Sequence, residues 1–149
     1  PYAKADAQGH PLVALPSPAG ERVPFLGYGP GAYLGQLVAL IAKRADPPLN
    51  LDTIYETDMS EGLKAMALEG HGLAFLPGSS VTREVRARRL VRAAPAGSLE
   101  LDVEIRIYRE RPEVARRVHP AAQALWDGLR RDHAPVAGTK LAAPAPRRS

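Results

Sequence analysis

The sequence predicts an α/β protein in which short buried strands alternate with helices around a parallel sheet. Three observations carry that expectation. Between Tyr55 and Pro77 an apolar helical face is followed by a glycine stop and the unbroken apolar run Leu73-Ala74-Phe75-Leu76, the composition of a strand buried on both faces. Between Val23 and Arg44 a short strand, a glycine loop and a second amphipathic helix repeat that order. Strand, helix and strand in succession default to a right-handed crossover between parallel strands. From Leu99 to Tyr108 apolar and polar residues alternate, as in a long strand with one wet face.

Taken in order, residues 1–10 are small and polar and carry no periodic signal. His10 to Leu15 suits a short strand or an extended lead-in, and Pro16 to Pro24 a turn region. Val23 to Tyr28 reads as a strand, and Gly27-Tyr28-Gly29-Pro30-Gly31 as a loop. A helix follows from Ala32 to about Arg44, with Leu34, Leu37, Val38 and Ile41 on one face. Lys43 and Arg44 complement its dipole, and Asp46-Pro47-Pro48 prevents continuation. Leu49 to Glu56 is the next strand. Asp58 is spaced to cap the following helix, with Glu61 reaching back in a capping box. Met59, Leu63, Met66, Ala67 and Gly70 then recur at steps of three and four, and Gly70 and Gly72 stop the helix. Ser79 to about Arg88 is a short basic helix and Leu90 to Ala93 a short strand. Pro112 ends the long alternating strand, and Pro120 opens a last helix with Ala121, Ala122, Leu125, Trp126 and Leu129 as its apolar stripe. After Asp132 the proline-rich tail has too little apolar surface to order itself.

The 149 residues are enough for one domain, or one domain and a piece of another, with an ordinary core. The chain has no cysteine, which excludes disulfides and thiolate chemistry and points to the reducing cytoplasm. No apolar run approaches the ~20 residues of a membrane span, so no membrane partner is expected. The chain shows no signal peptide and does not begin with Met, the pattern of a fragment or a processed chain. The net charge of +4 is mild and is no argument for nucleic acid.

Gly27-x-Gly29-x-x-Ala32 fits the dinucleotide fingerprint, and Glu56 or Asp58 supplies an acidic residue after the next strand. Pro30 opposes that reading by removing a backbone donor from the loop, and the plain alternative is a tight turn opening a helix. No cofactor is therefore expected. His10, His71, His119 and His133 share no ligand spacing, so no metal is expected either. Ser79-Ser80 lacks a nucleophile elbow, and no catalytic residue is assigned. Arg83, Arg86, Arg88, Arg89 and Arg92 read as a solvated helix face rather than a nucleic-acid patch, since no aromatic residues are interleaved. Met59 and Met66, seven apart, fall on one helical face, as core methionines or as redox-sensing residues whose sulfoxides would make that face polar.

In an open parallel sheet, ligands bind outside the carboxyl ends of the strands. Strand ends near Tyr28, Glu56 and Leu76, and helix starts near Gly31 and Asp58, converge there. The expected effector site is accordingly Tyr28, Gly29, Thr57, Asp58, Met59, Ser60 and Pro77, with free helix N–H groups facing a carboxylate, phosphate or oxidised anion. A helix start merely capped by Asp58 is the alternative.

The residues from Asp58 to Met66, DMSEGLKAM, and from Glu69 to Pro77, EGHGLAFLP, resemble the effector-binding domain of LysR-type transcriptional regulators. The later helix, long strand and final helix with Trp126 fall in family order, so the resemblance covers about Pro24 to Arg131. The wording of residues 57–77 is most similar to the hypochlorite-responsive subgroup. The resemblance implies a type-2 periplasmic-binding-protein-like fold, with one complete α/β subdomain here and part of a second. It divides the chain into a lead-in or first-subdomain remnant (1–23), a second effector subdomain (24–95), a return strand and helix (96–131) and a tail (132–149). It implies a ligand- or redox-sensing regulatory module, with a small-molecule or oxidant effector and DNA contacted only through an N-terminal helix-turn-helix domain that this chain lacks. Trp126, Leu125 and Leu129 would then be exposed or buried by another copy, making a homo-oligomer. The rivals are an enzyme fragment using the 27–32 glycine loop for a dinucleotide and a free-standing solute-binding domain.

Overall fold

The structure, a computed structural model, describes residues 1–18, 21–110 and 119–132. In chain order the elements are β1 (Tyr2–Lys4), β2 (Val23–Gly27), α1 (Tyr33–Arg44), β3 (Leu51–Glu56), α2 (Ser60–Glu69), β4 (Leu73–Ala74), α3 (Gly78–Arg86), β5 (Leu90–Arg92) and α4 (Pro120–Asp132). They fall into two compact units, Pro1–Val103 and Glu104–Ser149.

The first unit is built on a five-stranded sheet in the order β3-β2-β4-β1-β5. β2 pairs in parallel with β3 and with β4. β1 is antiparallel to both β4 and β5, so β3, β2, β4 and β5 share one direction and β1 opposes it. The expected parallel crossovers are present: α2 joins β3 to β4 over β2, and α3 joins β4 to β5 over β1. β1 corrects the reading of residues 1–10 as featureless. Its Tyr2-Ala3-Lys4 pairs with Arg92, Val91 and Leu90. Only Ala3 of the three is fully buried, so period two has nothing to show in so short a strand.

Alternation along β2 and β4 divides the core in two. Leu26, Ala74 and Leu76 point to one face with Tyr28, Leu63, Ala67, Val81 and Leu90. Val23, Phe25, Leu73 and Phe75 point to the other with Ala3, Leu15 and Ala93, where Val38 and Ile41 of α1 pack. Phe25 and Phe75 meet edge to face with ring centroids 6.2 Å apart. All four residues of the run Leu73 to Leu76 are buried as expected, although only Leu73 and Ala74 belong to the ladder. Gly70 closes α2 with φ 89°, the left-handed cap expected of it. Gly72 has another role: a Cβ there would lie 2.6 Å from the Pro24 carbonyl oxygen, so the turn needs a residue without one.

The long strand expected between Leu99 and Tyr108 does not form. Residues 101–110 join no ladder among the described residues, and Val103, Ile105, Ile107 and Tyr108 are exposed. Alternation shapes a face, but a strand also needs a neighbour for its N–H and C=O groups, and no described strand lies beside this one. Pro112 and the tail after Asp132 lie outside the described residues.

In the second unit the guanidinium of Arg109 lies 4.7 Å from the ring centroid of Trp126. Arg109 Nη1 also donates to Gln123 Oε1 at 2.8 Å, and Gln123 Nε2 donates to Asp127 at 2.9 Å. Of the expected apolar stripe of α4, Leu125 is exposed, whereas Trp126 and Leu129 are half-buried. Among the described residues no helix is long and apolar enough to cross a membrane.

Candidate functional site

The shared direction of β2, β3 and β4 brings Gly27, Glu56 and Ala74 to one edge of the sheet. The chain turns there three times, each time into a helix. α1 begins after Ala32, α2 after Met59 and α3 after Pro77, and none of the three has a side-chain cap. Each start leaves first-turn N–H groups without an intrahelical acceptor. The dipoles of the three helices place partial positive charge at the same edge.

Two of the turns are joined directly. Thr57 N donates to Gly27 O at 3.2 Å and Gly29 N donates to Thr57 O at 3.3 Å, extending the β2–β3 ladder past its end. Ala32 N then donates to Gly29 O at 3.0 Å, closing the loop into α1. The expected capping box is absent. Met59 is extended, with φ −103° and ψ 116°, so α2 begins one residue late for Asp58 to reach its first N–H groups. Thr57 Oγ1 accepts from Met59 N at 3.4 Å instead. Glu61 pairs with Lys64 Nζ at 2.6 Å rather than reaching back. The Asp58 carboxylate is turned onto Gly29: a Cβ on that glycine would lie 2.4 Å from Asp58 Oδ1.

Of the expected effector residues, Gly29, Thr57 and Asp58 therefore touch one another, with Met59 and Ser60 following at the start of α2. Met59 is 67% exposed. Pro77 is half-buried at the start of α3. Tyr28 turns its side chain into the core beside Leu63, Ala67 and Val81. Its hydroxyl has no hydrogen-bond partner among the described residues. Burial pushes the Tyr28 pKa up to about 12, because the phenolate would be desolvated there. Met59 is the N-cap residue of α2, its carbonyl accepting from Leu63 N at 3.3 Å, and Met66 is half-buried within the helix.

Sequence reasoning missed two contributors. Lys64, whose side chain is mostly buried, donates to Ser80 O at 3.1 Å and ties α2 to the first turn of α3. Gly35 lets α1 lie against the loop, since a Cβ there would lie 3.2 Å from both Gly29 O and Tyr28 Cβ. Lys64 leaves no local signal because its partner lies 16 residues on, and Gly35 none because its need depends on how the 28–32 loop folds back on α1. The arginines of the basic stretch are exposed, and Arg89 and Arg92 pair with Glu84 and Glu100. Among the described residues no group of His, Asp and Glu could hold a metal.

The sequence matches the family model of the LysR substrate binding domain over residues 4–134. The HTH-type transcriptional regulator YjiE of Escherichia coli K12 is 32% identical over 130 residues, covering 87% of this chain and 40% of that protein. The HTH domain-truncated transcriptional regulator QseD of Escherichia coli O157:H7 is also 32% identical over 130 residues, covering 87% of this chain and 50% of that protein. The full-length structure of HypT from Salmonella typhimurium, a hypochlorite-specific LysR-type transcriptional regulator, superposes with a TM-score of 0.65 at 25% identity. That match covers 90% of this chain and 43% of the other. The chain thus spans half or less of the length of these curated relatives.

Proposed function

Since the chain belongs to the LysR substrate-binding domain family, with the periplasmic-binding-protein-like fold of its regulatory domains, we propose that it senses a small anionic or oxidant effector for a transcriptional regulator. The observation that supports this reading is the convergence of three uncapped helix starts on the edge where β2, β3 and β4 end. Free N–H groups there accept an anionic ligand without a dedicated cation. Gly29, Thr57, Met59, Ser60 and Pro77 border it, Tyr28 backs it, and Asp58 selects for a ligand that can also donate. Residues 24–95 act as the second effector subdomain together with β1, which lies within their sheet and is therefore no remnant of the first, and 96–131 act as return segment and helix. DNA is reached through an N-terminal helix-turn-helix domain, in a cytoplasmic homo-oligomer. That YjiE, QseD and HypT are transcriptional regulators favours this over an enzyme fragment built on the glycine loop.

The oxidant branch rests on HypT being a hypochlorite-specific regulator. Met59, exposed beside the helix start, and Met66, half-buried on α2, are its candidate sensors. Mass spectrometry after mild hypochlorite treatment tests it: Met59 should gain oxygen before Met66. Both remaining unmodified while other residues oxidise would end the sensing role for these positions.

The site itself is tested by thermal-shift titration with small carboxylates, phosphate and halide salts. An anion that stabilises the chain should lose about tenfold in affinity on Thr57→Ala, the loss of one well-placed hydrogen-bonding group. Equal affinity in both proteins would remove the effector from this edge.

A further inference from the structure

At the opposite edge of the sheet lies an open cavity of about 580 Å³, within the roughly 300–1,000 Å³ range of small-molecule sites. Its apolar wall is Ala65, Met66 and Leu68 of α2, and its rim carries Lys4, Arg88 and Arg89. Glu69 is the acidic residue of that lining, so three cations face one carboxylate. Arg89 is shared with Glu84 at 3.4 Å, while Lys4 and Arg88 form no ion pair among the described residues. Lys4 Nζ reaches Glu69 O at 3.5 Å, the limit of a hydrogen bond.

Two helix ends frame the cavity, and they are closed the same way. At the end of α2, Gly70 N donates to Ala67 O and His71 N to Met66 O. At the end of α3, Arg88 N donates to Val85 O and Arg89 N to Glu84 O. Both patterns require a left-handed residue, which glycine adopts without strain. α2 uses Gly70 there, with φ 89°. α3 uses Arg88, with φ 53°, where the Cβ of an L residue crowds the following carbonyl oxygen. The cap alone would be better served by glycine, so the strain needs another reason. The guanidinium on the cavity rim supplies one. The left-handed caps satisfy the carbonyls of Met66, Ala67, Glu84 and Val85, so of the rim cations only Lys4 is drawn to a helix-end carbonyl, that of Glu69, and only at 3.5 Å.

We propose that this cavity is a second binding site, separate from the helix-start edge, for an amphipathic organic anion: a carboxylate or sulfonate held by Lys4 and Arg88, with its aromatic or branched body against Ala65, Met66 and Leu68. An apolar wall under a cationic rim is the complement of that ligand class. A bare inorganic anion would leave the wall in water, and a neutral hydrocarbon would leave the rim unused.

The test is titration of the full ¹⁵N-labelled chain with 2-naphthoate and, in parallel, its neutral counterpart 2-naphthamide. Naphthoate should shift the amide resonances of Ala5, Arg88 and Arg89 and leave those of Gly29, Thr57 and Asp58 in place. Arg88→Gly removes one charge-assisted hydrogen bond to the carboxylate and should weaken naphthoate at least about tenfold, while denaturant unfolding shows a fold no less stable than the parent. Lys4→Met, which keeps the stem, should weaken it similarly. Undiminished binding in both variants, equal binding of naphthamide, shifts confined to the helix-start edge, or no shifts at all would each overturn the proposal.

Discussion

The two edges of the sheet treat the ends of the same helices in opposite ways. At the carboxyl edge, α1, α2 and α3 begin with no side chain over their first N–H groups. At the amino edge, the last carbonyls of α2 and α3 are closed by left-handed residues and the hydrogen bonds they allow. A helix start without a cap forgoes about 1 kcal/mol, and this unit forgoes it three times on one side. A helix end closed by glycine serves folding, and one closed by arginine gives up part of that stability. Stability is therefore given up at all three helix starts on the carboxyl edge, and on the amino edge only at Arg88.

Substitutions can break or sharpen this contrast. The largest effect should come from Leu63→Ala, because Leu63 is fully buried on α2 and α2 holds both edges in place. Removing it should cost about 2–5 kcal/mol in urea unfolding. A loss confined to local exchange at one edge would show that the two edges are not coupled through α2.

Gly72→Ala comes next. Its methyl would press on the Pro24 carbonyl, backbone that cannot turn aside, and should cost about 1–3 kcal/mol. An unchanged melting temperature would mean that the amino-edge turn yields easily to the added methyl.

Tyr28→Phe removes a buried hydroxyl that has no partner, and should raise stability by about 1 kcal/mol at neutral pH. The pH dependence has a definite sign. The folded pKa of about 12 lies above the free value of 10.0, so the parent keeps its full stability below pH 10 and loses it as pH rises toward 12. The gap between parent and variant should widen across that interval. A Tyr28→Phe chain less stable than the parent at neutral pH would mean the hydroxyl is bonded within the core.

Gly29→Ala should have the smallest effect. Its methyl meets only the end of the exposed Asp58 side chain, which can rotate away, so the change should stay within about 0.5 kcal/mol. A cost as large as that of Gly72→Ala would show that Asp58 is locked onto the loop.

How much of the molecule is legible in the sequence differs by element. α1 is readable to within one residue of its start, since Leu34, Val38 and Ile41 mark its half-buried, packed face at helical spacing and the prolines after Asp46 forbid extension. Gly70 is readable because a left-handed cap has a residue preference of its own. The capping box is not, since the same Asp58 caps or does not cap according to one extended residue, Met59. The edge of the candidate site is legible from strand and helix order. That Tyr28 faces the core while Asp58 lies on Gly29 is not.

By itself the sequence determined the local chemistry of this protein: which stretches are helical, where they stop, and which residues are apolar enough to be buried. Those properties act within a turn or two of chain, and the residues carry them wherever they are placed. Only the tertiary structure decided which strands have neighbours. Tyr2-Ala3-Lys4, with almost no pattern, became a strand between β4 and β5 because two unpaired edges received it. Val103, Ile105 and Ile107, with the clearest alternation, stayed exposed because no described strand offers them a ladder. Backbone hydrogen bonding in a sheet is a contract between distant segments, and neither segment's composition records whether the other is there.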